Sequence, residues 1–154
     1  KEQQNRFNFP YQLTIYPGSL GSKSGNQPSQ SETRKFKLQK GDVIVTASDG
    51  LFDNVFQDDI GVRVGRLQDR FSTTMGGAGG DNDESSGIDK QATVNLKTLK
   101  AATDVVVKEL LEMAVELGRD QSYFSPFAEH AQEHGLDYIG GKADDVTIIL
   151  SFIL

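Results

Sequence analysis

Two acidic positions in this sequence adjoin apolar runs, where carboxylates could perform metal chemistry. Asp49 directly follows the run Val43–Ser48, and the pair Asp144–Asp145 directly precedes the run Val146–Leu154. If these runs are neighbouring antiparallel strands, the end of one lies beside the start of the other, and the Asp49 and Asp144 carboxyl groups lie within about 8 Å of each other. Converging carboxylates repel each other, and a divalent cation relieves that repulsion. Oxygen ligands without cysteine or histidine favour Mg²⁺ and Mn²⁺.

Glycines flank both acidic positions. Gly50 permits a tight turn after Asp49, and Gly140–Gly141 lets the backbone bend before Asp144. Turn chemistry explains each of these residues singly, because Asp and Gly are common in turns and loops. The pattern by itself therefore leaves both a metal site and a pair of ordinary turns open.

The elements that would position these residues are strands near both ends of the chain with helices between them. Val43–Ala47 is mostly β-branched and bounded by turn residues, which predicts a buried strand. The terminal run 146–154 predicts a second buried strand on composition and length. Helical spacing and stop residues predict three helices, over 58–71, 96–117 and 126–134. This order indicates an α+β fold rather than alternating βαβ units.

Two polar stretches predict flexible loops. Residues 17–33 are rich in Gly, Ser, Pro and Gln, and residues 72–90 have almost no large apolar side chains. After the first loop, Phe36 and Leu38 alternate with lysines, which predicts a half-buried strand. The 154 residues are enough for one domain with a hydrophobic core.

Composition excludes several classes of function. The formal charge of −6 and the scattered basic residues argue against nucleic acid as a partner. The absence of cysteine excludes disulfides, thiolate catalysis and zinc–thiolate sites. No apolar run approaches the length that crosses a bilayer, so no membrane span is expected. Lys1–Gln4 shows no targeting character, and we expect it to lie within a longer polypeptide.

Two further motifs suggest other metals. The segment His130–His134 matches the H-x-x-E-H signature of a zinc peptidase class, with Glu133 as base. That class needs a third, downstream ligand, and no Glu or His follows His134. Gly76–Asp81 resembles one copy of a calcium-binding nonapeptide repeat, which binds calcium only in stacked copies. An exposed helix with incidental histidines and a glycine-rich loop are the simpler interpretations.

Longer segments surround the two acidic positions. Gly41–Asp53 is a strand pattern that runs into Ser-Asp-Gly, and Gly140–Thr147 has the form Gly-Gly-x-x-Asp-Asp-hydrophobic-Thr. Together, and in this order, they resemble the motifs of the type 2C family of metal-dependent serine/threonine protein phosphatases. Phe7–Leu13 and Ser125–Ala128 resemble the mitochondrial and plastid, T-cell-activation-phosphatase-like branch of that family.

The resemblance implies roles for particular residues. Asp49 and Asp144 would be metal ligands, and the complete site would hold two Mn²⁺ or Mg²⁺ ions. Gly50, Gly141 and Asp145 would support the ligands or form turns, although the family usually has Asn where Asp145 stands. The implied fold is part of a four-layer αββα sandwich with two antiparallel sheets. The implied activity is hydrolysis of phosphoserine and phosphothreonine in proteins by a metal-activated water.

The resemblance covers only the C-terminal portion of the family's domain, across residues 1–154. The family's N-terminal half supplies a metal-bridging Asp-Gly pair and a phosphate-binding arginine, and no segment before residue 41 is similar to either. We therefore expect the N-terminal half as a partner, beside a phosphoprotein substrate. A catalytically silent, phosphatase-like binding module is the alternative. The resemblance suggests a mitochondrial or plastid location, although no targeting segment is present in the sequence to indicate one.

Overall fold

The computed structural model of this protein describes residues 3–13, 25–75 and 88–153. The chain divides into two compact units, residues 1–37 and 38–154, which are described separately here. Each unit contains a two-stranded antiparallel sheet, and the long helices belong to the second unit. The predicted α+β class is confirmed.

The first unit is built on a short hairpin. Strand β1 (Gln4–Arg6) pairs with strand β2 (Phe9–Pro10). In the turn between them Asn8 has a φ of 53°, a left-handed conformation that Asn tolerates better than most residues. Asn26 and Asn5 exchange side-chain hydrogen bonds of 3.0 Å, which fasten the following segment to the hairpin.

The sheet of the second unit joins the two strands predicted near the acidic positions. Strand β3 (Val43–Ala47) pairs with strand β4 (Ile148–Phe152) in antiparallel register, with Ala47 opposite Ile148. Alternate residues of both strands pack against the helices, and the residues between them are exposed. The antiparallel pairing expected from the sequence is confirmed.

The described part of the second unit also contains four helices. They are α1 (Asp49–Phe52), α2 (Gln57–Met75), α3 (Ile88–Arg119) and α4 (Pro126–Glu133). Ser125 caps the start of helix α4, since its hydroxyl accepts the N–H of Ala128 at 3.1 Å, and Gly135 follows the end of the helix with a φ of 75°. Among the described residues, no helix has both the length and the apolar character that crossing a bilayer requires.

The hydrophobic core lies where α1, α2 and α3 meet the inner face of the β3–β4 sheet. Leu51 of α1 and Leu110 of α3 have no exposed surface, and Leu67 of α2 is almost as buried. Burial of one leucine side chain contributes about 1.5–3 kcal/mol. The burial of Leu51 fixes the short helix α1, and with it Asp49, at the end of β3.

Two predicted strands differ from the structure. Strand β4 begins at Ile148 rather than Val146, because the Thr147 N–H bonds to the hydroxyl of Ser48 instead of continuing the backbone ladder. The strand predicted at 36–38 is wrong. Phe36 is 78% exposed, and no strand in the described part of the chain pairs with this segment.

The two predicted loops are only partly described. Helix α2 extends to Met75 and α3 begins at Ile88, so helices cover both ends of the stretch 72–90. Residues 76–87, including the calcium-like motif 76–81, lie outside the described residues. Of the stretch 17–33, the structure describes 25–33, with a single 3₁₀ turn at Pro28–Gln30. The flexibility of these stretches stays a prediction.

Candidate metal centre

Ser48 ties together the two strand ends that present the acidic residues. Its backbone N–H donates to the Thr147 carbonyl at 3.0 Å, and its hydroxyl accepts the Thr147 N–H at 3.0 Å. The same hydroxyl donates to the Asp145 carbonyl at 2.9 Å. Since Asp49 follows Ser48 directly, Asp49 and the Asp144–Asp145 pair lie at the same end of the sheet.

The side chain of Lys142 brings three carboxylates together at this end. Its ammonium nitrogen lies 2.7 Å from Asp53 Oδ2, 3.0 Å from Asp49 Oδ2 and 3.4 Å from Asp144 Oδ2. We call these four side chains the acidic cluster. Asp49 Oδ2 and Asp144 Oδ2 both contact the Lys142 nitrogen, so the distance between these two oxygens cannot exceed the sum of their distances to that nitrogen. The expected proximity of Asp49 and Asp144 is therefore observed, and their role as metal ligands stays a prediction.

The electrostatics of the acidic cluster keep Lys142 charged. Partial burial lowers the pKa of the Lys142 ammonium, but hydrogen bonds to Asp53 and Asp49, with the attraction of their charges, outweigh burial and raise that pKa above its ordinary value. One ammonium among three carboxylates leaves a negative balance at this end of the sheet.

Gly50 and Gly141 have steric roles that the turn pattern did not reveal. A Cβ on Gly50 would overlap the backbone carbonyl of Asp145, and a Cβ on Gly141 would overlap the Leu117 carbonyl of α3. Neither glycine has a positive φ, so the requirement is for space rather than for a left-handed backbone. Both glycines let the backbone of the 140–145 segment approach its neighbours closely. Asp145 supports this segment through its backbone: its N–H donates to Asp144 Oδ1 at 2.9 Å.

The side chain of Asn54 holds the backbone of Lys142 in place. Its buried side-chain amide donates to the carbonyls of Gly50 at 2.9 Å and Lys142 at 2.8 Å, and its oxygen accepts the Lys142 N–H at 2.8 Å. Gly118 lies against this amide. Residues 88 positions apart are thus joined by a pair of hydrogen bonds through one side chain.

A second set of contacts fixes the start of the same segment. The buried hydroxyl of Ser125 donates to the Gly140 carbonyl at 2.6 Å, and the Tyr138 hydroxyl donates to the Gly141 carbonyl at 2.9 Å. The Phe127 N–H donates to the Asp53 carbonyl at 3.0 Å, and the Phe127 ring centre lies 5.3 Å from the Lys142 ammonium. Helix α4 therefore positions both partners of the shortest ion pair in the acidic cluster.

Sequence reasoning missed three members of this arrangement. Asp53 stands four residues after Asp49, a spacing that places two side chains on one face of a helical turn, so the signal was present. Lys142 lies within the quoted glycine motif, but nothing in the sequence pairs it with a carboxylate. Asn54 had no signal, because its partners are distant in sequence.

The donor set fits part of a hard-cation site. Carboxylate oxygens alone suit Mn²⁺ or Mg²⁺, and the negative balance of the acidic cluster favours a divalent ion. However, the described residues contain no group of three or more His, Cys, Asp or Glu side chains placed to hold an ion. Asp49 and Asp144 thus fit as part of a ligand set that further residues would complete.

The histidine motif lies on helix α4 and its C-terminal cap. The His130 and His134 rings meet edge to face with centres 4.7 Å apart, and the His134 Nδ1 lies 2.8 Å from the His130 carbonyl oxygen. The two rings contact each other and their own helix, and their interpretation as incidental histidines stays a prediction.

The relatives found by comparison with known proteins are all named as protein phosphatases. No protein-family model matches the chain. The chain is 35% identical to the Protein phosphatase PTC7 homolog of Danio rerio, over 99% of this chain and 42% of that protein. It is 33% identical to the human protein of the same name, over 99% and 41%, and 31% identical to the Probable protein phosphatase 2C 80 of Arabidopsis thaliana, over 98% and 28%.

Among solved structures, the photosystem II phosphatase PBCP has a similar fold. The TM-score is 0.62 with 24% sequence identity, over 99% of this chain and 49% of that one. The chain spans less than half the length of the curated relatives named above.

Proposed function

Because this chain belongs to the family of type 2C protein phosphatases, we propose that it forms part of an enzyme that hydrolyses phosphoserine and phosphothreonine in proteins with the help of divalent metal ions. The observation that supports this most directly is the convergence of Asp49 and Asp144 on one nitrogen at the end of the β3–β4 sheet. Named phosphatase relatives align with nearly the whole chain.

In this proposal Asp49 and Asp144 hold Mn²⁺ or Mg²⁺, and two ions occupy the complete site. Bound ions of this kind lower the pKa of water and neutralise charge on phosphoryl oxygens. The chain's own task is positioning: Leu51 fixes α1 beneath Asp49, and Ser48 joins the two strand ends. Gly50 and Gly141 supply the space for that close approach.

We further propose that the remaining ligands and the phosphate-binding groups come from a complementary N-terminal half. Two observations support this. The relatives are more than twice as long as the aligned segment. The outer face of the β3–β4 sheet exposes Ile44 and Ile149, apolar side chains that a further layer would cover. A mitochondrial or plastid location is proposed on the resemblance of 7–13 and 125–128 to that branch of the family.

The test is metal-dependent hydrolysis of an aryl phosphate and of a phosphopeptide by the complete polypeptide. We expect activity only with added Mn²⁺ or Mg²⁺. Asp49→Asn should lower the rate at saturating metal about a hundredfold, which corresponds to roughly 2.7 kcal/mol of transition-state electrostatics. Asp104→Asn is the matched control, because Asp104 pairs only with Lys100 on the exposed surface of α3 in the described contacts. Full activity in excess EDTA would refute the mechanism.

A further inference from the structure

Lys142 places a positive charge where the proposed function requires a metal ion. The ammonium contacts Asp49 and Asp144, the two proposed ligands, and Asp53 beside them. Only 22% of the lysine side chain is exposed. Three carboxylates gathered without a cation would repel one another, so the ammonium lowers the electrostatic cost of the fold at this point.

The three ion pairs of Lys142 are unequal. The contact with Asp53 is the shortest at 2.7 Å, and the Asp53 side chain is the least exposed of the three carboxylates. The Phe127 ring adds a cation–π contact on that side, at 5.3 Å. The contacts with Asp49 and Asp144, at 3.0 and 3.4 Å, involve the more exposed carboxylates. The ammonium can therefore leave Asp49 and Asp144 while it keeps Asp53 and the aromatic face.

The backbone of Lys142 stays in place during such a movement. Both its N–H and its carbonyl are bonded to the buried amide of Asn54 at 2.8 Å. Only the flexible side chain has to change its rotamer. Such a change in a partly exposed lysine is fast and requires little free energy.

We propose that Lys142 is an internal counter-ion that holds Asp49 and Asp144 together before metal binds, and that an entering divalent ion displaces its ammonium from these two carboxylates. The displaced ammonium stays with Asp53 and Phe127. This inference rests on the proposed function, because it takes Asp49 and Asp144 as metal ligands. It makes Lys142 a positioning residue that competes with the ion and sets the metal affinity of the site.

The test measures Mn²⁺ binding to the metal-free complete polypeptide by electron paramagnetic resonance of free Mn²⁺. Lys142→Met removes the ammonium and keeps a similar apolar stem. We expect the variant to bind Mn²⁺ about tenfold more tightly, because the ion no longer displaces a competing charge. Lys100→Met is the matched control, since it removes the same charge from an exposed pair on α3, and we expect its affinity to be unchanged.

Thermal unfolding supplies an independent readout. In EDTA the Lys142→Met variant should melt below the wild type, because its carboxylates have lost their counter-ion. Added Mn²⁺ should raise its melting temperature by more than it raises that of the wild type. Lys142→Arg, which keeps the charge, should restore stability in EDTA. If Lys142→Met does not fold without metal, Mn²⁺ must restore its folding, and a variant that stays unfolded at every Mn²⁺ concentration overturns the proposal.

Two results would assign a different role to Lys142. Unchanged or weaker Mn²⁺ affinity in Lys142→Met would overturn the counter-ion role, and a raised KM beside that result would indicate direct contact with the substrate phosphate. Asp49→Asn separates this failure from a failure of the proposed function. Loss of Mn²⁺ binding in Asp49→Asn together with unchanged affinity in Lys142→Met rejects only the role of Lys142. Wild-type Mn²⁺ binding in Asp49→Asn rejects the metal site itself.

Discussion

Single residues determine the geometry of the acidic cluster, and Asn54 has the most extensive part among them. Its side chain is almost wholly buried and uses its donor and acceptor atoms on the backbones of Gly50 and Lys142. A buried amide placed in this way acts as a bridge between the start of α1 and the segment before β4. The positions of Asp49 and Lys142 both depend on it.

We therefore predict a large effect of Asn54→Ala on stability. The change leaves the buried Gly50 carbonyl and the partly buried N–H and carbonyl of Lys142 without these partners, which should lower the free energy of unfolding by about 2–4 kcal/mol. Urea denaturation of the complete polypeptide measures this loss. Gln68→Ala is the control, because that exposed amide makes one weak 3.4 Å hydrogen bond, and we expect a change below about 0.5 kcal/mol. Equal effects of the two substitutions would contradict the bridging role.

At the scale of elements, the close approach of the 140–145 segment to α3 is the decisive feature. Gly141 lies against the carbonyl of Leu117 and the backbone of Gly118, near the end of α3. The segment reaches the acidic cluster from this contact. Any side chain at position 141 must push the segment away from the helix, and Lys142 and Asp144 move with it.

Gly141→Ala should accordingly destabilise the protein by at least about 2 kcal/mol through overpacking. It should also weaken Mn²⁺ binding, because the segment holding Asp144 shifts. Gly61→Ala provides the opposite expectation: an added Cβ there meets no atom within 4 Å, and alanine favours the helix by up to about 1 kcal/mol. Thermal unfolding of both variants is the measurement, and a stabilising Gly141→Ala would show that the contact is looser than described.

At the scale of the whole molecule, the sheet of the second unit is covered on its inner face and exposes apolar side chains on its outer face. Its inner face packs against the helical core, whereas Ile149 on the outer face is 56% exposed. Both strands also have an edge that no other strand pairs with in the described ranges. Unpaired edges and exposed apolar faces promote association.

We predict that the 154-residue chain expressed alone is inactive and self-associates or aggregates. Co-expression with the complementary N-terminal half should restore solubility and metal-dependent activity together. Light scattering and a phosphatase assay on the purified chain are the measurements. A soluble, cooperatively melting monomer that hydrolyses phosphate unaided would contradict this prediction.

One substitution tests whether the outer face of the sheet causes the association. Ile149→Lys should reduce scattering of the isolated chain and also weaken its rescue by the complementary half, because both processes use the outer face of the sheet. Val62→Lys is the matched control, since Val62 is 62% exposed and lies on helix α2 rather than on a sheet strand. Equal reduction of scattering by both variants would indicate nonspecific charge effects instead.

Much of this architecture was predictable from local patterns in the sequence. The β-branched run at 43–47, the helical spacing of apolar residues and the stop residue Gly135 indicated the type of each main element, because such preferences act between neighbouring residues. The paired motifs also located Asp49 and Asp144. The pattern at 36–38 was misleading, since alternation predicts a strand only where a partner strand is available.

Only the tertiary structure decided which distant groups meet. Alternation and spacing say nothing about contacts across 88 or more residues, so the bridge through Asn54 and the ion pairs of Lys142 with Asp49 and Asp53 had no local signal. Gly50 and Gly141 were predicted as turn residues, but their requirement is space against backbones that fold next to them. The sequence determined the positions proposed as acidic ligands and their order in the chain. The packing of α1, α3 and α4 around the strand ends determined that a lysine lies among them, because three converging carboxylates need a cation nearby.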